Sequence, residues 1–143
     1  MIVYLDASAI VKRYVKEFHS KHVIALMDEA DVAATSIVSR AEVAAAFARA
    51  VRLAVLDNLG GRRAHKRFAG EWPDFVRIPV TETLVARADA LAWDHGLRGY
   101  DAIQLASALV WQDSIGQDIV LATFDQQLTR AGVAAGLRVW PER

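Results

Sequence analysis

The 143 residues carry 54% hydrophobic and 24% charged side chains, enough for one globular domain with a substantial core and no need of covalent or metal staples. The absence of cysteine excludes disulfides, thiolate metal sites and a cysteine nucleophile, and a formal net charge of zero excludes nucleic-acid binding held by bulk charge alone. No run approaches the ~18 apolar residues of a membrane helix and the start MIVYLDASAI lacks a basic leader pattern, so a soluble cytoplasmic protein without membrane attachment is expected.

The chain opens with a short apolar run, Ile2 to Leu5, that ends in Asp6, and Ala9, Ile10, Val11, Tyr14 and Val15 then recur at helical spacing. The unit reads strand, tight turn, helix, with Asp6 at the strand's carboxyl end. A second helix around Val23, Ile24 and Met27 ends near Glu29, and Val32 to Thr35 forms a strand. Ser39-Arg40-Ala41-Glu42 has the form of a capping box opening a long alanine-rich helix that runs through Val55, with Ser36 as a competing cap. Asp57-Asn58-Leu59-Gly60-Gly61 reads as a loop that breaks it, followed by a basic helix from Arg62 to Phe68 and a stop at Trp72-Pro73.

Phe75 to Val80 gives a third strand, and Thr81 caps a helix that stops at His95-Gly96. Leu97 to Tyr100 is a turn, and from Asp101 a helix follows that is apolar almost all round, which implies burial on most sides. Ile119 to Thr123 is a continuous apolar strand, Phe124-Asp125 opens a helix ending at Gly132 or Gly136, and Leu137 to Trp140 is a final strand. Strands alternating with helices, the strands apolar without interruption, indicate a parallel sheet covered on both faces.

Charge is unevenly spread. Residues 1–70 hold 11 Lys and Arg against 7 Asp and Glu, and residues 71–143 hold 6 against 10. Arg49, Arg52, Arg62, Arg63, Lys66 and Arg67 make up much of the basic excess, a set that suits phosphates and that a solvated helix face explains equally well. Trp111 and Trp140 fit the core or its rim better than an interface, and His19, His22, His65 and His95 show no ligand spacing with the acids.

Four acids stand at strand ends or helix starts: Asp6, Glu42, Asp101 and Asp125. Each has a structural excuse as a helix cap or capping-box partner. Parallel strands, however, set their carboxyl ends on one edge, where α/β sheets bind ligands. Asp101 follows a helix rather than a strand, so pattern alone does not put it there, and the same geometry would admit Glu82 after the third strand. Clustered carboxylates repel one another unless protonated or neutralised by a cation, and oxygen ligands without His or Cys select Mg²⁺ or Mn²⁺. Such an ion suits phosphodiester cleavage; whether one or two would bind stays open.

YLDAS at the N-terminus, SRAEV at Ser39 to Val43, LRGYDAIQLASAL at Leu97 to Leu109 and TFDQQL at Thr123 to Leu128 together resemble the PIN-domain nucleases, specifically the VapC-type toxins of bacterial toxin–antitoxin pairs. Each motif alone is weak; the four in register are specific and span nearly the whole chain. The resemblance implies a three-layer α/β/α fold around a parallel sheet of about five strands, with residues 1–143 forming a single PIN domain. It carries over Asp6, Glu42, Asp101 and Asp125 as the metal-binding and catalytic acids, with Ser8 and Thr123 as hydroxyls beside them. It implies Mg²⁺- or Mn²⁺-dependent cleavage of RNA by metal-activated water, a homodimer, and silencing by a cognate VapB-type antitoxin whose arginine could enter the acid cluster.

Two other functions compete. A non-catalytic partner-binding module would keep the fold without the chemistry, and an aspartyl-phosphate phosphotransfer domain would use Asp6 as nucleophile. The latter normally wants a further acid two residues on, where this chain has Ser8.

Overall fold

The computed structural model describes residues 1–142. Five strands, β1 (Ile2–Leu5), β2 (Val32–Ser36), β3 (Val76–Ile78), β4 (Val120–Ala122) and β5 (Arg138–Trp140), pair in the order β3-β2-β1-β4-β5. Every pairing is parallel. Seven α-helices among the described residues cover the sheet: α1 (Ala7–Tyr14), α2 (Ser20–Glu29), α3 (Ser39–Arg52), α4 (Asn58–Glu71), α5 (Glu82–His95), α6 (Gly99–Ile115) and α7 (Gln126–Ala134). No helix among the described residues is long and apolar enough to cross a membrane.

The central strand shows how the layers arise. Successive side chains of a strand point to opposite faces, so Val3 and Leu5 pack with residues of α1, α2, α3 and α4, including Ile10, Leu26, Phe47 and Phe68. Tyr4 packs the other way, with Leu84, Leu105 and Leu128 of α5, α6 and α7. β1 is buried on both faces, which is why its sequence is a continuous apolar run rather than an alternating one. Trp111 lies buried in the second of these clusters, and Trp140 is half-buried, edge-on to Phe124 at 5.8 Å.

Several boundaries differ from the sequence expectation, each for an identifiable reason. Ser39 is no cap: it is the first residue of α3, whose N-cap is Val38 with no side-chain cap, and it turns inward, its hydroxyl 2.7 Å from that of Thr35. Ser36 is no true cap either, reaching only the Val38 amide at 3.4 Å. The stretch 57–61 is not a loop, because Asp57 caps α4 through the Gly60 amide at 2.6 Å. The turn at 97–100 shrinks likewise, since α6 starts at Gly99 and puts Asp101 in its first turn rather than at its cap.

Gly132 does not stop α7; it lets the helix lie against the sheet. A Cβ there would come within 2.9 Å of Leu121 Cδ2 and 3.2 Å of Val139 Cγ2. Gly132→Ala should therefore destabilise the fold by about 1–2 kcal/mol, because overpacking outweighs the gain in helix propensity. Urea unfolding would show it as a lower midpoint at unchanged slope, and an unchanged midpoint would mean that α7 sits less tightly than its contacts indicate.

Candidate active site

The chain runs β1, β2, β3 outward to one edge and then crosses back to place β4 on the other side of β1. The order of the sheet reverses between β1 and β4, and at such a reversal the loops after the two strands diverge and leave a crevice. Asp6 follows β1 and Thr123 follows β4, and they meet in that crevice. Thr123 Oγ1 donates to Asp6 Oδ2 at 2.6 Å, while Ser8 Oγ donates to Asp6 Oδ1 at 2.7 Å and the Ala9 amide donates to the same oxygen at 3.0 Å. Asp6 is thus cap and site residue at once. Oδ1 closes the N-terminus of α1, and Oδ2 keeps a lone pair for a further partner.

The second acid at the crevice repeats the pattern. Asp125 caps α7 by accepting from the Leu128 amide at 2.8 Å through Oδ1, and Oδ2 faces Arg98 Nη2 at 3.5 Å. The Thr123 hydroxyl accepts from the Asp125 amide at 3.1 Å, and Ser8 Oγ accepts from the Phe124 amide at 3.1 Å, so the two hydroxyls tie the β4–α7 loop to Asp6.

Asp101 and Glu42 arrive from helices. Asp101 sits in the first turn of α6 and pairs with Arg98 Nε at 3.2 Å. Glu42 sits in the first turn of α3, where Gln104, one turn further along α6, donates to its Oε1 at 2.8 Å. The same amide donates to Ser39 Oγ at 2.9 Å and accepts from the Tyr4 hydroxyl at 2.6 Å. Gln104 is buried and uses both its protons and its oxygen to join β1, α3 and α6 behind the carboxylates. Glu82 does not join them: it is exposed at the start of α5, after the outermost strand.

The electrostatics follow from burial and crowding. Asp6 is 4% exposed, and desolvation pushes its carboxyl up to about 6 against the pull of Thr123, Ser8 and the Ala9 amide, with the charge of Asp125 pushing the same way. Burial likewise raises Glu42, opposed by the Gln104 hydrogen bond and reinforced by the charges of Asp6 and Asp101. Asp101 is raised by burial and by Asp125, and lowered by Arg98. All four acids are therefore electrostatically linked, and the Arg98 guanidinium, 76% exposed, is the one side-chain cation in salt-bridge contact with them among the described residues. Arg98 thus pairs with two of the four acids, Asp101 and Asp125.

An oxygen-only donor set with raised carboxyls fits a hard divalent cation. Among the described residues no three His, Cys, Asp or Glu converge tightly enough to form a ready-made metal cage.

The basic residues do not form one surface. Arg52, Arg62 and His65 line a cleft between α3 and α4, whereas Arg67 is held by Glu71 at 3.0 Å and lies over the Tyr14 ring. Arg49 and Arg52 stand roughly 10 and 15 Å along α3 from Glu42, by helical rise.

A three-layer α/β/α domain with four coupled carboxylates at the switch point of a parallel sheet is the class that these features define. The chain belongs to the PIN domain family, whose pattern it matches over residues 3–134. It is 38% identical over 140 residues to the ribonucleases VapC45 and VapC49 of Mycobacterium tuberculosis, an alignment covering 98% of this chain and 95% of each relative. The fold is also that of a toxin–antitoxin complex from Klebsiella pneumoniae, with a TM-score of 0.68 at 18% identity over 99% of this chain and 98% of that one.

Proposed function

We propose that the chain is a divalent-metal-dependent endoribonuclease, the toxin of a toxin–antitoxin pair, acting on cytoplasmic RNA as one PIN domain over residues 1–143. The observation that carries this reading is the Asp6 carboxylate: buried at the switch point, fixed by three donors and electrostatically linked to the further acids Asp125 and Glu42. The relatives named as ribonucleases support the reaction, and the Klebsiella complex supports an antitoxin partner.

Asp6, Glu42, Asp101 and Asp125 would hold Mg²⁺ or Mn²⁺. A cation bound there lowers the pKa of a coordinated water and neutralises charge on the scissile phosphate. Ser8 and Thr123 fix the Asp6 oxygens, Gln104 fixes Glu42, and Arg98 offsets the charge of Asp101 and Asp125 until a metal cation takes its place. An antitoxin of the VapB type would silence the enzyme by covering this edge, and a homodimer is its expected assembly. The phosphotransfer alternative is disfavoured, because the position two residues on, where such a domain wants a further acid, is Ser8, whose hydroxyl is spent on Asp6 Oδ1.

Incubation of the antitoxin-free protein with total RNA, with Mg²⁺ or Mn²⁺ and then with chelator, tests the reading against an Asp6→Asn control. Discrete metal-dependent cuts absent from the control are expected; no cutting by the folded protein would favour the partner-binding module. Arg62 and Arg63 would hold RNA phosphates along α4. Replacing both by Glu should weaken RNA affinity and flatten its salt dependence by about two counterions or more. An unchanged salt slope would return them to a solvated helix face.

A further inference from the structure

Beside the acids, a cleft of about 350 Å³ opens between α1, Ala46 of α3 and the start of α7, lined further by Ser8, Val11, Lys12, Glu17, Phe124 and Asp125. Two of these residues belong to the candidate active site. Phe124 leads from it into a run of rings: His19 stacks on Phe124 at 5.4 Å and 25°, and Phe18 meets His19 edge-on at 4.2 Å. Lys12 holds the arrangement. Its ammonium lies 4.6 Å from the Phe124 centroid and donates to Glu17 Oε1 at 3.1 Å and to the Phe18 carbonyl at 2.9 Å, with its side chain only 13% exposed.

One feature of this run is unexplained by the fold. Phe18 is 80% exposed, although its ring could have been buried at no cost in charge. His19 adopts a left-handed backbone, φ 70° and ψ 4°, as the third residue of a turn that the Ser20 amide closes onto the Glu17 carbonyl at 3.2 Å, and this turn presents Phe18 from its second position.

We propose that Phe18 and His19, backed by Phe124 and Lys12, form a nucleobase subsite that stacks one unpaired nucleotide of the RNA next to the scissile phosphate. The inference rests on the ribonuclease reading above and deepens it. A base offers a π-face whatever its identity, and only an unstacked base of a single strand can present that face to a ring. The surroundings favour a nucleotide over an apolar protein segment: Lys16, Lys21 and His22 flank Phe18 in sequence, the neighbouring Glu17 is offset by Lys12, and no other exposed large apolar side chain occurs between residues 2 and 23.

The test uses a short single-stranded RNA that the protein cuts, with 2-aminopurine placed in turn on either side of the cut. Phe18→Ala should raise KM roughly tenfold or more while kcat changes little, because stacking holds the substrate without touching the reacting atoms. Phe18→Trp should restore KM and Phe18→Leu should not, which separates a π-face from mere apolar contact. In an Asp6→Asn background, binding should quench 2-aminopurine at one flanking position, and Phe18→Ala should abolish that quench.

Equal KM and quenching in wild type and Phe18→Ala, alongside normal cutting, overturns the subsite and leaves the ribonuclease reading standing. Loss of antitoxin binding in that same variant would assign the patch to the antitoxin instead. A wild-type protein that neither cuts nor binds RNA overturns both.

Discussion

Asp6→Asn should lose cleavage by on the order of 10³-fold or more and yet melt at a higher temperature than wild type at neutral pH, in the absence of metal. Loss of activity follows from removing the anion at the centre of the acid cluster. The gain in stability follows from the same charge. The Asp6 carboxyl titrates at about 6 in the fold and near 4 in an unfolded chain, so between those values the folded state holds the extra proton. The direction is therefore the reverse of a salt-bridged aspartate: the penalty is fully present above pH 6, shrinks as pH falls toward 4, and vanishes below. A displacement of that size is worth at most ~3 kcal/mol.

Asparagine removes the penalty but not the whole network. Its Oδ1 still accepts from Ser8 and the Ala9 amide, whereas Nδ2 must face a Thr123 hydroxyl that until then donated. A net gain of about 1–2 kcal/mol remains, or roughly 3–8 °C. Melting curves of metal-free protein from pH 4.5 to 8 would check it, and so would adding Mn²⁺, which should raise the wild type more than the variant. A variant that melts lower than wild type at pH 8 would mean that the Asp6 charge is stabilised by its donors more than burial disfavours it.

The double use of Asp6 explains how far the sequence could be read. A cap and a metal ligand are competing explanations of an aspartate at a strand end only if the carboxylate has one task. Here one oxygen caps the helix while the other takes no part in the cap, at Asp6 and again at Asp125, so the cap does not displace the ligand reading. Strand and helix order was legible because the β1 and β4 runs are apolar on both faces and the sheet is parallel. Asp101 was placed by family resemblance alone, since its position depends on α6 packing across β2 rather than on any local signal.

Ser39-x-x-Glu42 misled for a related reason. The spacing that lets Ser and Glu cap a helix also sets the two about one turn apart on α3, where both reach Gln104 of α6, and the pattern does not say which partner wins. The glycine pair at 60–61 looked like a break, yet Gly61 sits inside α4 where a Cβ would come within 2.4 Å of Val51 Cγ2. Arg98, Gln104 and the His19–Phe124 stack were not singled out, because each depends on contact with residues distant in the chain or with an acid whose place was unknown. Gln104 carried the one available signal: a polar residue within a helix otherwise apolar nearly all round.

Gln104→Leu should cost about 2–4 kcal/mol and lower the melting temperature by roughly 6–15 °C, although leucine fills nearly the same volume. The cost is not lost packing. It is the Tyr4 hydroxyl, the Ser39 hydroxyl and Glu42 Oε1 each losing a partner where water is scarce. Tyr4 and Ser39 are fully buried, so neither can turn to solvent for a replacement. Glu42 loses the donor that opposes its desolvation, which raises its carboxyl further and frees its orientation, and cleavage should fall about 10–100-fold. Adding Tyr4→Phe to Gln104→Leu separates the two consequences. With both ends of that hydrogen bond removed the pair should recover about 1 kcal/mol of stability, and because Glu42 is still unheld it should recover no activity. If instead the double variant regains cleavage, Gln104 acts on the site through the packing of Tyr4 and not through its bond to Glu42.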